Sequence, residues 1–293
     1  MDTAGAGTCV SPSVPAQRQV FQIGTRSRKT RMTRRCVVGL VQTLLVLFAT
    51  ATTAAAADLS ADQVRDKAHA ATAAANADLS GLDLSDLDLS GIDFRHARLR
   101  GTSLFASKLV NCDFRGSDLR AANLNGAWLM GADFSGADLT KASLLSVVVL
   151  GGTVKKMPTF TGANMSGVKM IADLPGADLA GADFRDARIG VNIKNQGMGQ
   201  MRTDLSNANL SRVNFAGADV SRSLMTFANL TNANLRGANF SLVKLSGSDL
   251  TGADVTDADF AEADMQGVVL RGVVGLDKAR GLASAQNLDK AVR

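Results

Sequence analysis

The sequence predicts an all-β solenoid, a rod of stacked coils closed by short helical caps. Three observations lead to this fold class. An apolar residue recurs every five positions, a small residue, most often alanine, stands two positions before it, and phenylalanines recur at a spacing of 20 residues. A period of five matches neither the alternation of a strand nor the 3.6-residue turn of a helix. A chain that turns a corner about every five residues would keep these apolar residues on one side of the backbone.

The apolar position keeps its register over long stretches of the chain. It runs without a miss from Leu79 to Val149 and resumes at Met165 and Met170. It continues with a one-residue slip over 174–189 and again over 205–270. These residues are predicted to fill the interior, while the small residue beside each one keeps a narrow core from being overfilled.

The spacing of the phenylalanines predicts how many sides each coil has. Phe94, Phe114 and Phe134 are 20 residues apart, and so are Phe240 and Phe260. If each coil has four sides of five residues, residues 20 apart lie directly above one another. We therefore expect each of the two groups to form one interior column, with coils about 4.8 Å apart.

The repeat has the form A-(D/N)-(L/F)-x-x, as in Ala132-Asp133-Phe134 and Ala233-Asn234-Leu235. This pattern resembles the pentapeptide-repeat family over residues 77–270. The resemblance implies a right-handed quadrilateral β-helix, in which each repeat forms one side and four repeats form one coil. Two breaks in the rhythm predict insertions at 151–162 and 190–203.

Both ends of the rod need caps, because an open coil exposes an unpaired edge. Ser60 and Gln63 have the spacing of a capping box, which predicts a helix running to about Ala75 within an N-terminal cap over 58–76. Residues 271–293 are predicted to form a C-terminal cap of short helical turns. The family resemblance implies that a terminal element closes the rod or forms a homodimer.

Residues 1–57 are predicted to be a leader. Arg34 and Arg35 precede an apolar stretch, and small residues at 55 and 57 allow cleavage before Asp58. Met32 would be the true start, which makes 1–31 a mis-assigned extension and 32–57 a signal peptide. The alternative is an uncleaved anchor over 36–57. Cleavage predicts a periplasmic or secreted protein without stable membrane insertion, and the choice between the general secretory and twin-arginine routes stays open.

The net charge of +5 depends on this leader. Residues 58–293 contain 25 basic and 26 acidic side chains, a net charge of −1. A domain that is nearly neutral favours neither nucleic acid nor an anionic membrane as its main partner.

The composition offers little for catalysis. The two histidines, His69 and His96, are predicted to be surface residues, and Cys112 takes an inward small-residue position. Glu262 is the only glutamate, and no glycine-rich phosphate loop is present. No nucleophile with a neighbouring base can be assembled. We therefore expect no enzyme activity, no cofactor and no metal site.

One acidic column of the predicted surface could in principle bind a cation. Asp93, Asp113 and Asp133 are 20 residues apart and should stack outward, but neighbouring arginines are expected to neutralise them. In the C-terminal half these columns are expected to change to asparagine, as at Asn214 and Asn234, which favours ladders of side-chain amides.

A contact surface is the remaining site hypothesis. Trp128 is the only tryptophan, and it takes an outward position that usually holds Asp or Asn, with Val148 one coil later in the same column. An exposed apolar patch beside long, basic insertions is typical of a binding surface. The candidate contact residues are Trp128, Val148, Leu150, Lys155, Lys156, Lys194 and Arg202.

These features together predict an exported, non-enzymatic scaffold that binds an unidentified protein in a bacterial envelope. The alternative comes from the resemblance, since some family members block DNA gyrase by resembling duplex DNA. In that case the chain would be a cytoplasmic protein that binds a type II topoisomerase.

Overall fold

The computed structural model describes residues 57–71, 76–149, 156–190 and 202–293. The predicted leader, up to residue 56, lies outside the described residues. The described chain contains one α-helix, α1 (Ala61–Ala70), and two short strands, β1 (Ser143–Leu145) and β2 (Lys169–Ile171). Almost all of the rest consists of isolated parallel bridges joined by turns. No helix in these described ranges is both long enough and apolar enough to cross a membrane.

The bridges form four parallel ladders that run the length of the repeat region. In the regular part of the chain each bridged residue pairs with the one 20 positions later, as in Asp78↔Arg98, and bridged positions are five residues apart. We name the four ladders faces A to D in chain order, starting with Asp78 on A, Asp83 on B, Asp88 on C and Asp93 on D. Each coil thus has four sides, and each corner is named by the two faces that it joins.

The interior contains the predicted apolar positions. The centres of the repeats, from Leu79 through Leu250, are fully buried or nearly so, and the alanines two positions earlier are buried beside them. Phe94, Phe114 and Phe134 form one stack, with ring centroids 4.9 and 4.8 Å apart and ring planes within 8° of parallel. Both the interior column and the four-sided coil are therefore confirmed.

A second interior column contains the other phenylalanine pair, and the structure adds one ring to the first column. Phe240 and Phe260 lie in one column with their ring centroids 5.4 Å apart. Phe160 extends the first stack, 5.0 Å from Phe134, although the sequence analysis placed it in an insertion.

The first insertion is shorter than predicted. The bridge Asp133↔Thr159 spans 26 residues, six more than one regular coil. Pro158 is buried where alanine usually stands, and Gly162 has the positive φ of an ordinary corner. The repeat has therefore already resumed at Pro158, and the predicted boundary of 162 is wrong. Proline and threonine stand at 158 and 159, where the repeat usually has Ala and Asp or Asn, so the sequence pattern did not show this repeat.

The second irregularity combines a shortened side with an insertion. Four residues instead of five separate the bridged positions Lys169 and Asp173, which explains the one-residue slip in the sequence. The next bridge on that face, Asp173↔Asp204, spans 31 residues. Thr203 is fully buried and its hydroxyl donates to the carbonyl of Ile189, 2.9 Å away, so the repeat resumes there.

The N-terminal cap is a short helix with the predicted capping box. The Ser60 hydroxyl accepts from the backbone N–H of Gln63, and the Gln63 side chain accepts from the N–H of Ser60. Helix α1 buries Val64 and Ala68 against the core. It ends at Ala70, five residues before the predicted end.

The C-terminal segment forms one more coil with longer sides. Its bridges are Asp254↔Val274, Asp259↔Arg280, Asp264↔Gln286 and Val269↔Val292, so successive bridged positions are six residues apart. The sides include 3₁₀ turns at Leu282–Ser284 and Leu288–Lys290. The helical turns were predicted, but the continuation of the coil was missed.

The six-residue sides share one sequence pattern. Each begins with a residue in the left-handed region, at Gly275, Gly281 and Asn287. A leucine follows at once, and an alanine follows three residues after that leucine. These residues pack, half-buried, on the end of the core: Leu276, Ala279, Leu282, Ala285, Leu288 and Ala291.

Candidate protein-interaction surface

Face C and its two corners hold the large apolar residues that the repeat leaves exposed. Trp128 on face C is 39% exposed, Phe105 on the B–C corner is 47% exposed, and Phe227 on the C–D corner is 65% exposed. The other exposed large apolar residues among those described are Val274 and Val292, in the last coil. The D–A and A–B corners contain mainly Arg, Ser, Thr, Gly and Ala. Among the described residues, the exposed aromatic rings therefore lie along one side of the rod.

The outward column of face C explains this difference. Its bridged positions, which the repeat usually fills with Asp or Asn, include Trp128, Val148 and Leu224. Trp128 and Val148 are directly bridged, as predicted. Phe227 covers Gly247, where an added Cβ would lie 2.4 Å from the ring. The absence of a side chain at Gly247 therefore leaves the space that the Phe227 ring occupies.

A groove opens on face C where its ladder is interrupted. Along the four ladders of the described coils, the one missing bridge lies between Val148 and Asp173. The four-residue side before Asp173 shifts this rung out of register with Val148. A cavity of about 500 Å³ results. It is lined by Ser146, Val147, Ile171, Ala172, Asp173, Arg202, Asp204 and Leu224.

Asp173 and Asp204 give the groove its polar part. They are bridged neighbours on successive coils, so their side chains leave the face side by side. Burial raises the pKa of the Asp173 carboxyl, and the neighbouring charge of Asp204 raises it further. The groove thus combines apolar side chains with two neighbouring carboxylates and the cation Arg202.

The structure brings several of the predicted contact residues to this side of the rod. Trp128 and Val148 are neighbours, and Arg202 lines the groove. The carbonyl of Lys156 accepts from the N–H of Gly131, 2.7 Å away, which places Lys156 at the C–D corner beside Trp128. Leu150, Lys155 and Lys194 lie outside the described residues.

Sequence reasoning missed four residues of this surface: Phe105, Phe227, Asp173 and Leu224. An outward leucine in an Asp/Asn position was a usable signal for Leu224. The pairing of Asp173 with Asp204 had no such signal, because the second insertion separates them in sequence.

The acidic column of face D is neutralised, as the sequence predicted. Arg95 lies 2.6 Å from Asp93 and 3.6 Å from Asp113, and Arg115 lies 2.6 Å from Asp113 and 3.8 Å from Asp133. The hydrogen bond from Arg115 lowers the pKa of the Asp113 carboxyl. Within the described residues no cluster of His, Cys, Asp or Glu could hold a metal ion.

Amide ladders take over in the C-terminal half. Asn234 donates to the side chain of Asn214 at 3.0 Å, so the predicted ladder exists. These two residues lie on face A, however. The column of face D continues instead through Asn209 and Asn229, whose amides are 3.4 Å apart.

The fold and this surface define a class of protein: a repeat solenoid. Its core residues repeat from coil to coil, and its outward residues vary along the rod. The family model for pentapeptide repeats matches the chain in eight copies, over residues 75–107, 97–136, 107–144, 203–241 and 238–274. The chain belongs to the pentapeptide-repeat family. Members of this family fold as right-handed quadrilateral β-helices.

Solved structures of other pentapeptide-repeat proteins resemble the chain. HetL, a protein involved in heterocyst differentiation regulation from the cyanobacterium Nostoc sp. strain PCC 7120, is 26% identical, with 75% of this chain and 90% of HetL covered and a TM-score of 0.33. The plasmid-mediated fluoroquinolone resistance protein QnrB1 is 25% identical, with 65% and 92% covered and a TM-score of 0.31.

A pentapeptide-repeat protein of the Arabidopsis thaliana thylakoid lumen is 28% identical, with 48% of this chain and 66% of that protein covered and a TM-score of 0.23. A search of the curated proteins found no match to the chain.

Proposed function

We propose that the chain is an exported, non-enzymatic scaffold whose right-handed quadrilateral β-helix presents face C to a protein partner in the bacterial envelope. The observation that supports this most directly is the concentration of Phe105, Trp128 and Phe227 along one side of the rod. Aromatic anchors around a groove are typical of protein interfaces. Export rests on the leader pattern alone.

The outward columns also argue against the topoisomerase-binding alternative. A protein that resembles duplex DNA needs a continuous negative surface. Here Arg95 and Arg115 alternate with the carboxylates of face D, and asparagines replace aspartates further along. The residues after the leader carry a net charge of −1, which is far from a polyanion.

A homodimer through the terminal coil is part of the same proposal. The end of the rod shows half-buried leucines and alanines, with Val274 and Val292 56% and 41% exposed. The outer edge of this coil forms no bridge to another described segment, and an unpaired edge can pair with a second chain. Two such ends meeting would cover both the apolar ring and the edge. Analytical ultracentrifugation tests this part: Leu282→Glu should abolish the dimer.

Site-specific cross-linking tests the contact surface. A photoreactive amino acid at Leu224 on face C should capture a partner in the periplasmic fraction, and Trp128→Ala should reduce the yield. The matched control is the same amino acid at Asn214, in the same stretch of the rod but on face A. Equal capture from both faces would refute face C as the contact surface.

Cell fractionation with N-terminal sequencing tests the location separately. We expect a periplasmic product that starts near Asp58. An intact cytoplasmic product would overturn export, and inhibition of DNA supercoiling would then be measured to test the alternative.

A further inference from the structure

Face B differs from the other faces in the charges that it carries. Between Asp83 and Asp219 its bridged positions are Ser103, Asn123, Ser143, Lys169 and Arg188. No carboxylate stands in this part of the column, all of which the structure describes. Over the same coils each of the other three faces contains at least one aspartate.

The adjoining A–B corner adds four more cations. Arg100, Arg120, Lys141 and Arg185 occupy corner positions on nearby coils, and all four are exposed. Asp186 is the one carboxylate at this corner over the same coils. We call the six residues the basic strip: Arg100, Arg120, Lys141, Lys169, Arg185 and Arg188. It spans about 20 Å along the rod, at about 4.8 Å per coil.

Three of these cations lack a partner on the described surface. Arg120 and Arg185 pair with Asp118 and Asp183 on face A, at 2.5 and 2.6 Å. The hydrogen bond from Arg120 and the nearby charge of Arg100 lower the pKa of the Asp118 carboxyl. By contrast, Lys141, Lys169 and Arg188 form no ion pair with described residues, although Arg188 is bridged to Asp219 in the next coil. The stem of Lys141 lies over Gly167, close to the position of Lys169 in the next coil.

The arrangement also works against the stability of the fold. Lys169 and Arg188 are directly bridged neighbours, so two like charges stand opposite each other on adjacent coils. Such a pair is destabilising in a sheet. An asparagine at either position, as at other outward positions of the repeat, would avoid it. A negatively charged partner would turn this cost into a favourable interaction.

We propose that the basic strip docks the rod on an anionic membrane surface. The strip runs along one side and the adjoining corner of successive coils, so a bilayer that lies against this edge of the rod would meet all six cations. The outward positions of face B and the A–B corner over these coils contain no aromatic ring, whereas proteins that bind single-stranded nucleic acids present exposed rings for base stacking. Surface lysines and arginines attract anionic lipid headgroups without insertion. Face C, next to face B, would remain open to a protein partner.

Binding of the full chain to vesicles tests this proposal. Phosphatidylcholine vesicles with phosphatidylglycerol should bind the chain, and added salt should weaken the binding. The double variant K169Q/R188Q should lower the partition coefficient about 25-fold, which corresponds to about 1 kcal/mol per cation. The matched control R212Q/R271Q removes the same charge from the D–A corner and should lower it less than about threefold.

Lysine footprinting reads the docked face directly. With phosphatidylglycerol vesicles present, acylation of Lys141 and Lys169 should slow, while Lys108 and Lys244 on face C should react as before. All variants keep the same leader, so its contribution to binding is constant, and the footprint does not depend on it. Equal losses in the two double variants, or equal protection of all four lysines, would overturn the proposal. Tighter binding to duplex DNA than to these vesicles would assign the strip to nucleic acid instead.

Discussion

Replacing Phe114 by alanine tests the column of rings that fills the first half of the rod. The ring is fully buried and lies between Phe94 and Phe134, with centroids 4.9 and 4.8 Å away. Truncation of a buried phenylalanine costs about 3–5 kcal/mol. Since two stacked contacts of about 0.5–1.5 kcal/mol each are also lost, we expect a value at the upper end of that range.

Urea unfolding followed by the fluorescence of Trp128 measures this cost. The free energy of unfolding should fall by about 4–5 kcal/mol for Phe114→Ala. Phe114→Leu should cost less than about 2 kcal/mol, because the same column already holds a leucine at Leu179.

The control is Phe227→Ala, which removes an equally large ring that is 65% exposed and should change stability by less than about 1 kcal/mol. A loss for Phe114→Ala no greater than for Phe227→Ala would refute the view that the stacked column stabilises the coils.

Three further predictions concern single groups. Because the pKa of Asp173 is raised and that of Asp113 is lowered, Asp173→Asn should raise the melting temperature at pH 7 while Asp113→Asn should lower it. The stability that ionised Asp113 contributes is present above pH ~4 and is lost as the pH falls through its depressed pKa. The melting temperatures of both variants should therefore converge towards that of wild type when they are measured in acid. A difference in melting temperature that does not change with pH would contradict the assignment. Gly281→Ala should destabilise the last coil by more than Gly272→Ala. Both glycines have positive φ, but of the two only Gly281 has backbone where a Cβ would lie, 2.3 Å from a nitrogen of the neighbouring coil. Hydrogen exchange of the last coil measures the difference, and equal effects would argue against that close approach. Cys112 is buried and the pKa of its thiol is raised to about 12. It should therefore resist iodoacetamide in the native state but react in urea, as measured by peptide mass spectrometry. Rapid labelling of the native protein would show that the coil opens locally.

Much of the fold could be predicted because one short-range rule controls it. Phe94 and Phe114 face inward because each takes the central position of its five-residue repeat. The spacing of 20 residues then determines which side chains meet. The rule fails where the length of a side changes. Asp173 and Asp204 meet because one side has four residues and an insertion follows, and no local pattern encodes that pairing.

The last coil shows a different limit of the sequence analysis. Its sides have six residues, so Leu276, Leu282 and Leu288 fall out of the five-residue register although they pack on the same core. The six-residue period was present in the sequence as a repeated Gly/Asn-Leu pair. For the candidate site, Trp128 and Val148 could be predicted because an outward position is a local property, whereas the groove depends on a missing bridge between distant segments.

The four-faced coil has a consequence for how such a protein can change over evolutionary time. Because 20 residues return the chain to the same face, gain or loss of one whole coil moves two surface features apart or together by about 4.8 Å without rotating them. Gain or loss of a single five-residue side instead turns everything beyond it by a quarter of a revolution. The distance between Trp128 and Leu224 could therefore change in fixed steps of one coil, while the residues that fill the core stay of the same kind.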